Sequence, residues 1–584
     1  MFLTAGTLLV VIALLVMTRI STELVLSGGL VLLFLTDVLT VEGALMGFSN
    51  PGLLCVAIFY VVSAGLVQSG ASTYWGMALL GEKPSHLRAL MRVLPGVSTA
   101  SAFMNNTPLV SMLVPAMERW CERFNVSPSK VMMPLSFAAI LGGSCSLIGT
   151  STNLLVDGMI RQQTDLAPLG FFELAWVGVP VAVLGIIFML VLGSRLLPDR
   201  GSALKDASQE RAYSLEMVIE AGSPVIGKSI GDAGLRHLPG AFLAELQRGE
   251  TLFPAVSPEE ILKEGDVLIL VGDVSSVLPL MRRKGLNHSS ANLTDFKASK
   301  PIRKMVEVII SPSNPLIGST IREGRFRSRY GAVVLAATRG GERIPGKLGD
   351  LMISPGDMFL METRPAFLEH HREGGDFLMV HEKESSFSST GPKAKWAMCI
   401  LGLMILLTVI GWLDIFKASL LAASLMFICG CVTSASARRS IDLTVVIGIG
   451  SALGISEAVR VSGLADAVAS NWMSLFGNTE WSLMLGIYLL TWIMTMFLTN
   501  NASAVLVFPL VLSVATEMQV DPRPLLVVLA LASSASFATP IGYHTNLMVM
   551  GPGGYRFVDY LRFGLPLTFL HAIGTLALVP LLYD

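Results

Sequence analysis

Two pairs of adjacent asparagines interrupt apolar sequence: Asn105-Asn106 in STASAFMNNTPLVSMLVP (98–115) and Asn500-Asn501 in TMFLTNNASAVLVFP (495–509). A second polar run follows each pair, GGSCSLIGTSTN (142–153) and SFATPIGYHTN (536–546). Hydroxyls and side-chain amides supply nearly all the polarity, and Asp, Glu, Lys and Arg are absent from these runs. That composition selects a chemistry. Hydroxyl, amide and unwound-backbone oxygens are hard donors suited to sodium, whereas the free N–H groups of a half-helix start favour an anion. A proton-coupled carrier instead needs a titratable group in its path. The pattern reads as an anion held between two chain breaks with sodium ions beside it. His544, the one ionisable side chain in the runs, matches Ser151 of the first half and reads as a substrate or proton contact or as a packing residue. His571 reads as structural, and Glu457 and Arg460 as interfacial or paired. No nucleophile, base or metal constellation suggests an enzyme. The six cysteines fall mostly in apolar stretches, with neither metal nor disulfide spacing.

The elements that must position these residues lie in a bilayer. The chain has 584 residues, 52% hydrophobic and only 15% charged, with mean hydropathy +0.64. A soluble protein needs about 25% charged residues to cover its surface. Stretches long enough to span run at about 2–18, 23–41, 51–69, 131–156, 171–194, 397–413, 417–434, 441–459, 524–550 and 563–582. The N-terminal stretch reads as a retained helix, not a signal peptide. The two asparagine-bearing stretches read as broken helices, since Pro108 removes a helical hydrogen bond and irregular backbone at membrane depth must line a cavity or be buried. Charge concentrates elsewhere: 49 of the 85 charged residues lie within 198–392, one large soluble insert. The net charge of −1 gives no reason to expect nucleic acid.

Repeats set the architecture. Gly70 matches Gly463, Asn106 matches Asn500, Pro115 matches Pro509, Gly149 matches Gly542 and Asn153 matches Asn546, at offsets of 393 or 394. The membrane region is therefore two homologous halves, 1–197 and 393–584. Lys83, Arg88 and Arg92 precede the first broken segment, and Arg119, Arg123 and Lys130 follow it, so it reads as a re-entrant hairpin from the cytoplasmic side. Counting spans places Arg438 and Arg439 inside and the second hairpin outside, so the halves are inverted, as in secondary transporters. The insert repeats at an offset of 91: Gly227 with Gly318, Ile230 with Ile321, Gly240 with Gly331, Gly265 with Gly356 and Asp266 with Asp357. Short β-type runs such as Val267–Val271 and Met358–Met361 predict two small cytoplasmic α+β domains, about 212–285 and 303–380. A loop near 286–302 joins them, and a Ser-rich linker (383–392) follows. The fold class is thus a polytopic α-helical membrane protein, an inverted-repeat transporter with two re-entrant hairpins plus two small α+β domains.

The whole membrane region resembles the divalent anion/sodium symporter family, the SLC13-like permeases of the ion transporter superfamily. That family tips each hairpin with Ser-Asn-Thr. Here the triplets are Asn105-Asn106-Thr107 and Thr499-Asn500-Asn501, and Gly142, Gly143, Gly149, Thr150 and Asn153 match its GG…GT…N pattern. The resemblance implies a first sodium on Ser101, Asn105, Asn106 and the carbonyl near Cys145. It implies a second on Thr495, the Leu498 carbonyl, Asn500 and the Ala538 carbonyl. Substrate would touch Asn106, Thr107, Thr152, Asn500, Asn501 and Thr545. Carboxylate carriers of the family have prolines where this chain has Ser151-Thr152 and His544-Thr545, a departure that favours sulfate over succinate or citrate. The insert resembles two RCK C-terminal domains, 198–302 and 303–392 with their linkers, which implies a nucleotide or cyclic dinucleotide ligand. The family implies a homodimer in the plasma (inner) membrane with sodium as the co-transported ion. A channel or potassium system and an ion exchanger are the competing readings. The former lacks a TVGYG-type filter, and the latter lacks a carboxylate in the hairpins.

Overall fold

The computed structural model describes residues 1–17, 20–71, 86–124, 126–200, 214–235, 241–249, 251–254, 259–272, 286–288, 304–340, 342–344, 348–363, 367, 371, 375–382, 393–476, 479–540 and 542–583. Lys83, Gly240, most of the joining loop and the Ser-rich linker lie outside the described residues.

The first membrane half contains α1 (Phe2–Met17), α2 (Thr22–Leu35), α3 (Val41–Leu45), α4 (Pro51–Gln68), α5 (His86–Ser101), α6 (Asn106–Phe124), α7 (Met132–Gly143), α8 (Ser151–Gln163) and α9 (Ala175–Leu196). The insert supplies β1–β10 and a short α10 (Phe326–Tyr330). The second half contains α11 (Ala394–Val409), α12 (Ile415–Ile428), α13 (Ser434–Ser440), α14 (Leu443–Val461), α15 (Leu464–Phe476), α16 (Glu480–Phe497), α17 (Asn500–Met518), α18 (Pro522–Ser534), α19 (His544–Met550) and α20 (Phe557–Tyr583). Six stretches among the described residues are long and apolar enough to cross a membrane, the longest being Val41–Gln68 and Phe557–Tyr583. Such helices expose large apolar side chains, Trp176 at 71% and Leu581 at 75% among them, which water would penalise and lipid tails accept. The chain is a multi-pass membrane protein.

Local chemistry sets the helix ends. Asn50 accepts from Gly52 N at 2.8 Å and Pro51 opens α4, a proline where no helical N–H is needed. The matched glycines Gly70 and Gly463 both take positive φ, 78° and 69°, just past α4 and α14. Glycine adopts that conformation without penalty, which explains the first landmark pair.

The structure corrects two sequence expectations here. The spans 131–156 and 524–550 are each divided: α7 and α8 are separated by residues 144–150, and α18 and α19 by 535–543. Hydropathy runs straight through these breaks because their side chains are uncharged, with the apolar Leu147, Ile148 and Phe537 among them. Close approach makes the breaks possible. A Cβ on Gly142 would sit 2.0 Å from the Ser98 carbonyl oxygen of α5, and one on Gly564 2.0 Å from the Phe537 carbonyl oxygen. Gly142→Ala should therefore lower the unfolding temperature in detergent, costing about 1–3 kcal/mol or more by overpacking. Gly402→Ala, in α11 with open space around it, should be neutral or slightly stabilising. An unshifted transition for Gly142→Ala would show that this approach is not tight.

The insert folds as two antiparallel five-stranded sheets. The first contains β1 (Ser214–Ile219), β2 (Ala241–Arg248), β3 (Thr251–Pro254), β4 (Val267–Gly272) and β5 (Leu286–His288) in the order β3-β2-β4-β1-β5. The second contains β6 (Lys304–Ile310), β7 (Ala332–Arg339), β8 (Glu342–Arg343), β9 (Met358–Thr363) and β10 (Phe377–Glu382) in the order β8-β7-β9-β6-β10. The topologies coincide, and so do the registers: Met217 pairs with Leu268, and Val308 with Phe359, each 91 residues on. A buried aspartate holds an arginine in each sheet, Arg248 Nε to Asp266 Oδ1 at 2.8 Å and Arg339 Nε to Asp357 Oδ1 at 2.7 Å. The loop expected to start at 286 starts later, because Leu286–His288 pairs with the free edge of β1.

Candidate functional site

Pro108 sits in the first turn of α6, where a missing N–H costs nothing, so the helix starts just before it. Asn105 caps that helix, its Oδ1 accepting from Thr107 N at 3.2 Å. Thr499 does the same for α17, accepting from Ala502 N at 3.3 Å. The first residues of the two helices are then Asn106 and Asn500, 1% and 5% exposed. Each carboxamide oxygen receives a hydroxyl from its own half: Ser101 Oγ donates to Asn106 Oδ1, and Ser536 Oγ to Asn500 Oδ1 at 2.7 Å. The amide nitrogens differ. Asn106 Nδ2 donates to the Tyr543 hydroxyl at 2.8 Å, whereas Asn500 Nδ2 is buried without a partner among the described residues.

Two further helix starts meet these. Asn501 Oδ1 accepts from Ser151 Oγ at 2.9 Å and Thr152 Oγ1 at 3.0 Å, the first two residues of α8. Tyr543, which also bonds Thr150, immediately precedes α19. Asn106, Tyr543, Thr150, Ser151 and Asn501 therefore form one chain linking the starts of α6, α19, α8 and α17 across the two halves. Four helix N-termini place uncompensated N–H groups and partial positive charge in one region, a setting for an anion.

The unwound loops are stapled identically in both halves. Asn153 Nδ2 donates to the carbonyls of Gly143 at 3.4 Å and Ser146 at 2.8 Å. Asn546 Nδ2 donates to those of Ser536 at 2.7 Å and Thr539 at 3.1 Å. Around the first loop, Cβ positions on Gly143 and Gly149 would lie 2.8 Å from Asn106 Oδ1 and 2.9 Å from the Ser101 carbonyl oxygen. Around the second, a Cβ on Gly542 would lie 3.2 Å from the Thr495 carbonyl oxygen and 3.3 Å from Ser536 Cβ. Each half thus gathers oxygens of one hairpin-helix end, one loop and one asparagine, the donor class a sodium ion takes.

The predicted residues divide accordingly. Ser101, Asn106 and the Cys145 loop come together, as do Thr495, Asn500 and the Ala538 loop, with Leu498 ending α16 beside them. The side-chain oxygen of Asn105 caps α6, and the residue lines a small open pocket with Phe59, Ser63, Met104 and Ser151. Thr107 is half-buried beside it. Thr152 and Asn501 bond each other. Thr545 is fully buried with its hydroxyl 2.8 Å from Ser136 Oγ, so its side chain is committed to α7. His544 opens α19 on an exposed face. His571 is buried with Nδ1 2.8 Å from the Tyr488 hydroxyl, and Glu457 pairs with Arg460.

Sequence reasoning passed over Tyr543, Ser146, Ser536 and Thr539, although all four stand inside the quoted polar runs. It also missed Asp157, four residues beyond Asn153. This carboxylate is 2% exposed and fully engaged, by Arg161 Nε at 2.7 Å and Leu169 N at 2.8 Å.

The chain matches the family described as citrate transporter over residues 12–470 and again over 405–584. It is 36% identical over 583 residues to a putative sulfur deprivation response regulator of Chlamydomonas reinhardtii, covering 97% of this chain and 99% of that protein. An uncharacterized transporter of Synechocystis sp. is 31% identical, covering 95% and 92%. Sodium/sulfate cotransporter 2 of Chlamydomonas reinhardtii is 23% identical, covering 91% and 83%.

Proposed function

We propose, since this chain belongs to the citrate transporter family, that it is a sodium-coupled symporter of a small divalent anion, with sulfate as the expected cargo, and not an enzyme. The observation that carries the reading is the junction of four helix starts on Asn106, Asn501 and Tyr543, built without a carboxylate beside the unpartnered amide of Asn500. In this reading α5–α6 and α16–α17 are the two re-entrant hairpins of inverted repeats. Asn106, Thr107, Thr152, Asn500, Asn501 and Thr545 contact the anion. Ser101, Asn105, Asn106 and the Cys145 carbonyl hold one sodium, and Thr495, Asn500 and the Leu498 and Ala538 carbonyls hold the other. The protein sits as a homodimer in the plasma membrane. Its halves are 1–197 and 393–584, and two cytoplasmic RCK-C-like domains, 198–302 and 303–392, tune transport by binding a nucleotide or cyclic dinucleotide.

Sulfate is preferred because relatives named sodium/sulfate cotransporters match over 91% of the chain, and because Ser151-Thr152 and His544-Thr545 replace the prolines of carboxylate carriers. A di- or tricarboxylate is the second reading, favoured by the description of the matched family. Proteoliposome uptake of labelled sulfate, succinate and citrate decides between them. We expect sulfate uptake to require a sodium gradient and to persist with a protonophore present. Uptake that continues without sodium and stops with the protonophore overturns the coupling, and accumulation of citrate but not sulfate overturns the cargo.

A further inference from the structure

The two insert sheets share a topology but not their surroundings. In the second, Ile309, Ala336, Met358, Leu360 and Met379 are at most 5% exposed and belong to the same apolar core as the membrane helices. A Cβ on Gly356 would lie 2.6 Å from Leu547 Cδ1, one on Gly551 would lie 3.2 Å from Met358 Cβ, and one on Gly340 would lie 3.5 Å from the Tyr555 carbonyl oxygen. At the matching positions of the first sheet, Gly249 and Gly265 keep positive φ, 57° and 79°, yet no described atom lies within 4 Å of a Cβ there. The sequence agrees: where the second sheet has Ala336 and Met379, the first has Glu245 and His288. Burying those groups against apolar helices would be costly.

The docked surface is the far end of the site. Leu547 and Met550 belong to α19, the short helix that also carries Thr545 and Asn546, and β10 also packs on α6, the helix that begins at Asn106. The starts of these two helices are already joined by the Asn106–Tyr543 hydrogen bond. Arg200, where the chain leaves for the insert, is fastened to Asp559 at 2.7 Å and to the Gly554 carbonyl at 2.8 Å, just beyond α19.

We propose that the second sheet is a fixed part of the anion-carrying body, docked on α6 and α19 through Met358, Leu360 and Gly356, and that it moves with them through the transport cycle. Among the described residues, the first sheet shows no such docking. Met358 and Leu547 are then positioning residues for a site they do not touch. The inference rests on the transport reading above for the motion, but not for the docking.

The test is a disulfide between Met358→Cys and Gly551→Cys in the full chain. Gly551 has φ −66°, open to any residue, and the present Cβ separation needs only a few tenths of an ångström to reach the usual range of about 3.5–4.5 Å. Oxidation should link most molecules at 358–551, as read by peptide mass mapping. The linked protein should take up labelled sulfate within about twofold of the same variant reduced. Failure of a folded variant to link overturns the docking. Uptake that stops on linking and returns on reduction overturns the joint motion. If the reduced variant carries no anion, the transport reading has failed, and the yield of the link still decides the docking. As a second variant, Met358→Asp should raise the KM for sulfate several-fold at unchanged kcat, whereas Val267→Asp at the matching first-sheet position should leave both unchanged. Equal effects from the two would overturn the assignment to the second sheet.

Discussion

Asn106→Ala and Asn500→Ala should each remove most sodium-driven uptake while the protein still reaches the membrane. Each carboxamide offers an oxygen to a cation and an N–H to an anion. Losing one hydrogen bond to a charged partner costs about 1.5–3 kcal/mol, which is roughly 10- to 150-fold in affinity at about 1.4 kcal/mol per decade. The two variants should fail differently. Asn500 Nδ2 has no protein partner, so Asn500→Ala should fall mainly on the KM for the anion. Asn106 is bonded at both ends, to Ser101 and Tyr543, so Asn106→Ala should also lower the unfolding temperature and shift half-saturation by sodium upward. Ser470→Ala, an exposed change, is the control. His571→Ala, which the sequence alone would have offered as silent, leaves the buried Tyr488 hydroxyl without its partner and serves as a stability variant only. If Asn106→Ala and Asn500→Ala both transport with unchanged KM and unchanged sodium dependence, the helix starts are not the site.

Asn546→Ala should destabilise the protein more than its repeat mate Asn153→Ala. Both remove two hydrogen bonds to loop carbonyls, each orphaned buried acceptor costing about 1–3 kcal/mol. Asn546 additionally accepts from Ser136 Oγ at 2.8 Å, whereas Asn153 Oδ1 has no partner. We expect a larger fall in unfolding temperature for Asn546→Ala, and in both a loss of the sodium-induced rise in that temperature, because the released carbonyls belong to the loops proposed to hold sodium. Equal transitions would mean that the Ser136 contact contributes nothing. A preserved sodium response in both would separate the loops from ion binding.

Much of this site was legible before any coordinates. Asn106 and Asn500 stand out because adjacent asparagines in apolar sequence are expensive unless used, and because they recur at one offset. Gly149, Gly542, Asn153 and Asn546 were visible as landmarks for the same reason, but their work was not. A repeat offset says that two positions are equivalent, not that an asparagine staples the loop seven and ten residues behind it. Thr545 shows the limit from the other side: its place in the motif suggested substrate, and only the fold shows that it also meets Ser136 of α7.

The sequence by itself determined the membrane class, the two halves, the insert and the internal repeat of that insert, because each depends on composition or periodicity summed over many residues. It also determined the helix breaks just ahead of Pro108 and at the asparagine pairs, because proline and a capping side chain suit a helix start and not a helix interior. Only the tertiary structure decided which groups meet. Tyr543 and Asn106 are 437 positions apart in the chain yet 2.8 Å apart in space, and Asn501 reaches α8 of the other half. Only the structure showed that spans 131–156 and 524–550 break, since uncharged and partly apolar residues hide an unwound loop from hydropathy. It also decided that the second insert sheet joins the apolar core of the membrane helices, because an interface depends on shape and burial around a face, and a repeat reports neither.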